Sequence, residues 1–200
     1  FLTMKYSADI KKIERHFLPE DFLITDWASL EPFFKELSER PLDSPKTLEK
    51  WMKDISELEA IVSEDACWRQ VRMTCDTENK TLEEAFNYFY MEIQPKIQPY
   101  GDLLNRRLVN CPFTNELDQK KYFTYLRSVK KSIELFREEN IPIQAELSVL
   151  QQHYGSIAGK MTIEQDGEEF TLQQAAKFLE NPDRNIRELV YLKINERRLQ

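Results

Sequence analysis

Donors and bases of the kind that hold metals or move protons are sparse in this sequence of 200 residues. A helical zinc site needs paired histidines three to five residues apart, with a glutamate beside them as general base. His16 is followed by Phe17-Leu18-Pro19 and His153 by Tyr154-Gly155, so neither histidine has such a partner or a following glutamate. Cys67, Cys75 and Cys111 are odd in number and show no metal or disulfide spacing. Cys67 and Cys75 fall two turns apart on one expected helix, as small core or boundary residues do. Unpaired cysteines of this kind point to a reduced, cytoplasmic setting.

Carboxylates are plentiful: Glu57 with Glu59, Glu64-Asp65, Glu83-Glu84, Glu138-Glu139 and Glu168-Glu169. An acid–base pair needs one member in an apolar pocket that shifts its pKa. These pairs sit instead among Lys and Arg, as on solvated helix faces. No G-x-S-x-G and no phosphate-binding glycine loop occurs, and there are only 4 glycines. Asn79-Lys80-Thr81 fits a glycosylation sequon, but that pattern is common by chance and the cysteine usage argues against secretion. No catalytic or metal-binding residue is assigned, no cofactor is expected on this chain, and substrate-binding residues stay unassigned. Two aromatic runs stand out, Phe86, Tyr88, Phe89 and Tyr90, and Tyr122, Phe123 and Tyr125. They exceed one core stripe, so some rings face a second surface; core packing is the favoured reading and a ligand-lining wall the other.

A net charge of -7 disfavours nucleic acid or an anionic membrane as partner, and no apolar stretch approaches the length of a membrane span. The periodicity is mostly helical. Ile10, Ile13, Phe17 and Leu18 suit one helical turn or an extended arm. Asp26 caps a helix with Leu30, Phe33, Phe34 and Leu37 on its apolar face and Pro32 in its first turns. Ser44-Pro45 opens a long helix running to about Asp76, with Leu48, Trp51, Ile55, Leu58 and Val62 spaced 3, 4, 3, 4. Thr81 with Glu84 reads as a capping box for the next helix. Pro95 and Pro99 then predict a kink or break near Gln94, with helix resuming to Asn110.

Tyr122, Leu126, Val129, Ile133 and Phe136 form one clean stripe, and Ile143, Leu147, Leu150, Tyr154, Ile157 and Met161 another. The short connection between them predicts an antiparallel pair. From Met161 the period changes to two, and Asp166-Gly167 predicts a tight hairpin, which must rest on other structure. Thr171 with Gln174 caps a short helix, and Asn181 with Pro182 opens the final one. No stop signal follows Arg197-Arg198-Leu199-Gln200, which reads as the front part of a longer protein. The expectation is a mainly α fold of long antiparallel helices in a bundle-like lobe, with one β-hairpin near residues 161–171. Residues 1–25 form an N-terminal arm, 26–160 the helical lobe, and 161–200 a hairpin with two helices leading into a further domain.

The strings I-E-Q-D-G-E-E-F-T-L-Q-Q-A (Ile163–Ala175) and N-P-D-R-N-I-R-E (Asn181–Glu188) resemble the region ahead of the catalytic domain in the oligoendopeptidase F group of thimet-oligopeptidase-like zinc metallopeptidases. Trp68–Lys80, Glu92–Tyr100 and Lys121–Val129 resemble the same group, so the likeness spans about residues 14–200. It implies a cytoplasmic, largely helical enzyme that hydrolyses short peptides in a deep channel. Zinc would be held by an H-E-x-x-H helix and a downstream glutamate, none of which occurs here. The resemblance implies that this chain is the N-terminal lobe, which walls the channel and is inactive alone. Its partners would then be the catalytic domain of the same polypeptide and short peptide substrates. The other reading is a free-standing helical protein-binding module with the aromatic surface as its partner site.

Overall fold

Asp26 starts the regular structure. Its carboxylate accepts the backbone N–H of Ser29 at 2.9 Å while the Ser29 hydroxyl accepts that of Asp26, so two orphan donors of helix α1 (Trp27–Glu39) are satisfied reciprocally. This computed structural model describes residues 14–199, so the expected contribution of Ile10 and Ile13 to an N-terminal turn lies outside the described residues. Leu30, Phe34 and Leu37 of α1 are buried, as the spacing predicts.

Helix α2 (Pro45–Cys75) opens on a second reciprocal cap. Ser44 Oγ accepts from Thr47 N and Thr47 Oγ1 from Ser44 N. Leu48, Trp51, Ile55 and Leu58 are buried along it. Helix α3 (Lys80–Tyr88) begins two residues earlier than the Thr81 box predicts. Asn79 Oδ1 accepts from Thr81 N and Leu82 N, so the backbone N–H of Thr81 is a group to be capped, and Asn79 is the cap.

The expected disruption near Gln94 takes a specific form. Residues Phe89–Ile93 wind as a π-helix, and the N–H of Gln94 reaches back five residues to Phe89 O. Pro95 has no N–H and its ring crowds the carbonyl four residues before it; the widened turn relieves both faults without ending the helix. Helix α4 (Gln94–Asn110) continues with Pro99 inside it. A 3₁₀ turn (Pro112–Glu116) follows, and Asp118 caps helix α5 (Gln119–Leu135). Leu126 and Val129 of α5 are buried and Tyr122 and Ile133 half-buried, as expected.

Helix α6 (Asn140–Gly159) reverses the reading of its stripe. Ile143, Leu147, Leu150, Tyr154 and Ile157 are all exposed, while Ile141, Ala145 and Gln152 are buried. The helix packs against the π-turn.

Strands β1 (Thr162–Gln165) and β2 (Glu168–Thr171) pair antiparallel with Ile163 opposite Phe170. Asp166 and Gly167 adopt φ of 56° and 82°, the positive angles that a two-residue hairpin turn requires. The Thr171–Gln174 capping box forms and starts helix α7 (Leu172–Ala175), followed by a 3₁₀ turn (Ala176–Glu180). Helix α8 (Arg184–Leu199) starts later than expected. Asn181 holds a turn to Asp183 N, and Asp183 Oδ1 takes the helix's own donor from Asn185, so Asp183 is the cap. The hairpin rests on other structure as predicted, because Ile163, Leu172, Ala175, Val190 and Ile194 form one buried cluster.

The chain divides into two compact units, residues up to 65 with 96–136, and 66–95 with 137 onwards. Helix α5 belongs to the first and α6 to the second, and the stripe of α6 is exposed. In the first unit the C-terminal end of α1 is locked by side chains. Trp51, with 0% exposure, donates its indole N–H to Leu37 O at 2.8 Å. Arg107 donates to the same carbonyl at 2.6 Å and to Arg40 O, and its guanidinium lies 5.7 Å from the Trp51 ring centre. Arg40 forks onto Glu36 and reaches Asp54, which is 4% exposed, at 2.5 Å. Carbonyls left open at a helix end are thus paired with donors from α2 and α4.

Glu57 anchors the segment ahead of α1. Its carboxylate accepts the backbone N–H groups of His16 (2.8 Å), Phe17 (3.0 Å) and Leu18 (2.8 Å). Burial alone would raise its pKa, but the donors of Leu18, His16 and Phe17 more than offset this and hold it below the usual carboxylate value. A lowered folded pKa gives stability that is present above the unfolded value of about 4.3 and is lost as pH falls through the folded one. Glu57→Gln is therefore expected to cost about 1 to 2 kcal/mol at neutral pH. In thermal melts the gap between variant and parent should close as the pH falls through the folded value. A gap independent of pH would show that the charge is not what anchors the segment.

Candidate functional site

In the second unit the last turns of α2, helix α3 with its π-turn, α6 and the end of β2 surround a cavity of about 750 Å³. Helix α2 contributes Gln70, Met73, Thr74 and Cys75, with Thr77 just beyond it. Phe86 and Tyr90 present aromatic rings 4.5 Å apart. Helix α6 contributes Ser148, Gln151, Gln152, Gly155, Ala158 and Gly159, and the chain after β2 adds Thr171 and Gln173.

The lining carries no Asp, Glu, Lys, Arg or His. It offers four glutamine amides, several hydroxyls and an aromatic pair. Gln152 is 6% exposed, and its amide N–H has the Met73 sulfur, a weak acceptor, at 3.9 Å. Loss of solvation, and then the neighbouring Cys67, raise the pKa of the Tyr90 hydroxyl, so it stays a neutral donor. The glycines matter sterically. A Cβ added at Gly155 would meet nothing within 4 Å, and at Gly159 only Thr77 at 3.9 Å, so this wall of the cavity is open where side chains would stand. Uncharged amides, hydroxyls and rings can hold the main chain of a peptide, whose own groups are neutral donors and acceptors. They cannot activate water or a nucleophile, since Cys75 lies there with no base among the lining residues.

The other sequence-flagged residues fall outside this cavity. The Glu57–Glu59 pair is divided by helical geometry, since residues two apart point about 200° from each other. Loss of solvation raises the Glu59 pKa while that of Glu57 is lowered, but they cannot address one substrate. The hydroxyl of Tyr125 is pushed up to about 12 by desolvation and by Glu59. His16 contributes its backbone N–H to Glu57, and His153 is exposed on α6. Among the described residues no three or more His, Cys, Asp or Glu side chains come together as metal ligands, and no helix is long and apolar enough to cross a membrane.

Of the aromatic runs, Phe86 and Tyr90 line the cavity, Phe89 is in the core, and Tyr88, Phe123 and Tyr125 reach the surface. Core packing, the favoured use of the rings, is seen at Phe86 and Phe89. The cavity itself has one signal in the sequence, Gly155 and Gly159 four apart on a helix, which leaves one side of that helix bare.

No curated protein sequence matches the chain. A 3.1 Å X-ray structure of a protein assigned as oligoendopeptidase F superposes with a TM-score of 0.78 at 25% sequence identity. The match covers 88% of this chain but only 31% of that one, so the chain spans less than a third of the protein it resembles. The family model of the peptidase M3 N-terminal domain matches residues 17–136, more than half of the sequence. The helices, the hairpin and these matches agree, and the chain belongs to the peptidase M3 N-terminal domain family.

Proposed function

We propose that this chain is the N-terminal lobe of a zinc metallo-oligopeptidase, walling the channel that admits short peptides and inactive by itself. The observation that carries the reading is that a family-matched lobe aligns over most of its length with less than a third of an oligoendopeptidase F. The described residues offer no donor set for zinc, so the metal would be held by residues outside them. The neutral cavity of the second unit supports a role in peptide binding, and the unpaired Cys67 and Cys75 suit a reduced, cytoplasmic setting.

The test is cleavage of a short quenched peptide by the natural full-length polypeptide and by residues 1–200. Cleavage by the former, abolished by chelation and restored by zinc, with none by the latter, is the expected result. In the full-length protein Gly155→Leu, which places a side chain in the open cavity, is expected to raise KM several-fold with little change in kcat. An inactive full-length protein, or one whose reading frame has no H-E-x-x-H, would end the peptidase reading. It would favour the free-standing binding module, for which exposed rings stand in each unit, Phe123 in the first and Tyr88 in the second.

A further inference from the structure

The outward face of α6 has the composition of an interior. Ile143, Leu147, Leu150, Tyr154 and Ile157 recur at spacings of 4, 3, 4 and 3 and are between 50% and 73% exposed. At about 100° per residue they lie opposite Ile141, Ala145 and Gln152, the side already buried in the second unit. Glu146 is the one charged residue between Asn140 and Gly159. Water-facing helix surfaces are normally dressed with Lys, Glu and Arg, and a helix apolar on all sides is normally buried on all sides. Other exposed rings differ in this respect: Phe123 and Tyr125 of α5 sit among Lys120, Lys121 and Arg127.

We propose that this face seats a helix from the remainder of the same, longer polypeptide, a docking that rests on the lobe reading above. Stripes at alternating spacings of four and three accept a partner helix by interdigitation of side chains. A covering segment is available, because more than two-thirds of the matched oligoendopeptidase F chain has no counterpart here. A second copy of this chain fits less well. Self-paired helices fix their register by complementary charges beside the seam, whereas Glu146 and His153 flank one side of this stripe and Gln144 and Gln151 the other.

The docking can be read directly by placing a photo-activated benzoyl-phenylalanine at Tyr154, a near-isosteric change, and separately at Leu150, in the natural full-length polypeptide. Irradiation is expected to give an intrachain cross-link to a peptide C-terminal to Gln200, located by mass spectrometry. An interchain product of doubled mass would overturn the proposal in favour of a second copy. The absence of any cross-link at both positions would show that the face stays in water, and a natural polypeptide that ends at Gln200 would remove the partner altogether. Peptide cleavage is measured on the same samples. Zinc-dependent cleavage without an intrachain cross-link sinks the docking alone, while absent cleavage with the cross-link present sinks only the peptidase reading.

Discussion

Trp51→Ala is expected to destabilise the first unit by about 3 to 5 kcal/mol, the range for deleting a fully buried indole. Two losses add here. The side chain has 0% exposure, so its removal leaves a cavity between α1, α2 and α4. Its N–H is also one of two donors on Leu37 O, the other being Arg107, so part of the helix-end satisfaction goes with it. Trp51→Phe separates the two, since it keeps most of the volume and removes the donor. That variant should cost about 1 to 2 kcal/mol, because Arg107 still holds the carbonyl. Urea denaturation of both proteins measures the difference. Equal costs for Ala and Phe would mean that the hydrogen bond, and not packing, dominates.

Arg40→Ala should cost a comparable amount, about 3 to 5 kcal/mol, by stranding a buried charge. Asp54 is 4% exposed and has Arg40 at 2.5 Å; its other cation, Lys50, stands 3.9 Å away on a largely exposed side chain. The reciprocal change, Asp54→Ala, should cost less, because Arg40 keeps its two-pronged bond to Glu36. Asp54→Leu in the Arg40→Ala background should recover much of the loss, since the unpaired charge is gone. A double variant no more stable than Arg40→Ala would show that the cost lies instead in the guanidinium's packing over Phe17, 5.3 Å from the ring centre.

Which parts of this structure were legible follows from what periodicity measures. The stripe of α2 was read correctly because large apolar side chains at helical spacing found a core in their own unit. The stripe of α6 has the same signature, yet it faces outward. Spacing reports that a face is apolar and says nothing about what covers it. The packed side of α6 holds Ile141, Ala145 and Gln152, a set that no hydrophobic pattern selects. The cavity went unread for a different reason: beyond the two glycines its walls come from distant sequence, and Met73 and Gln152 meet across 79 positions. Glu57 looked like a solvated carboxylate because its partners are backbone N–H groups, which every residue but proline carries. Caps were placed to within two residues, and the errors at Thr81 and Asn181 arose where another good capping residue, Asn79 or Asp183, stood close by.

The wide turn at Phe89–Ile93 holds one residue more than a regular α-helical path of the same length. One extra residue per turn delays the helix by about 100°, so Pro95 acts as a phase marker as well as a missing donor. Family members that lack a proline at this place have no reason to keep the extra residue. Aligned against this chain, they should be one residue shorter between Phe86 and Gln94 while keeping the same residues of α4 turned inward.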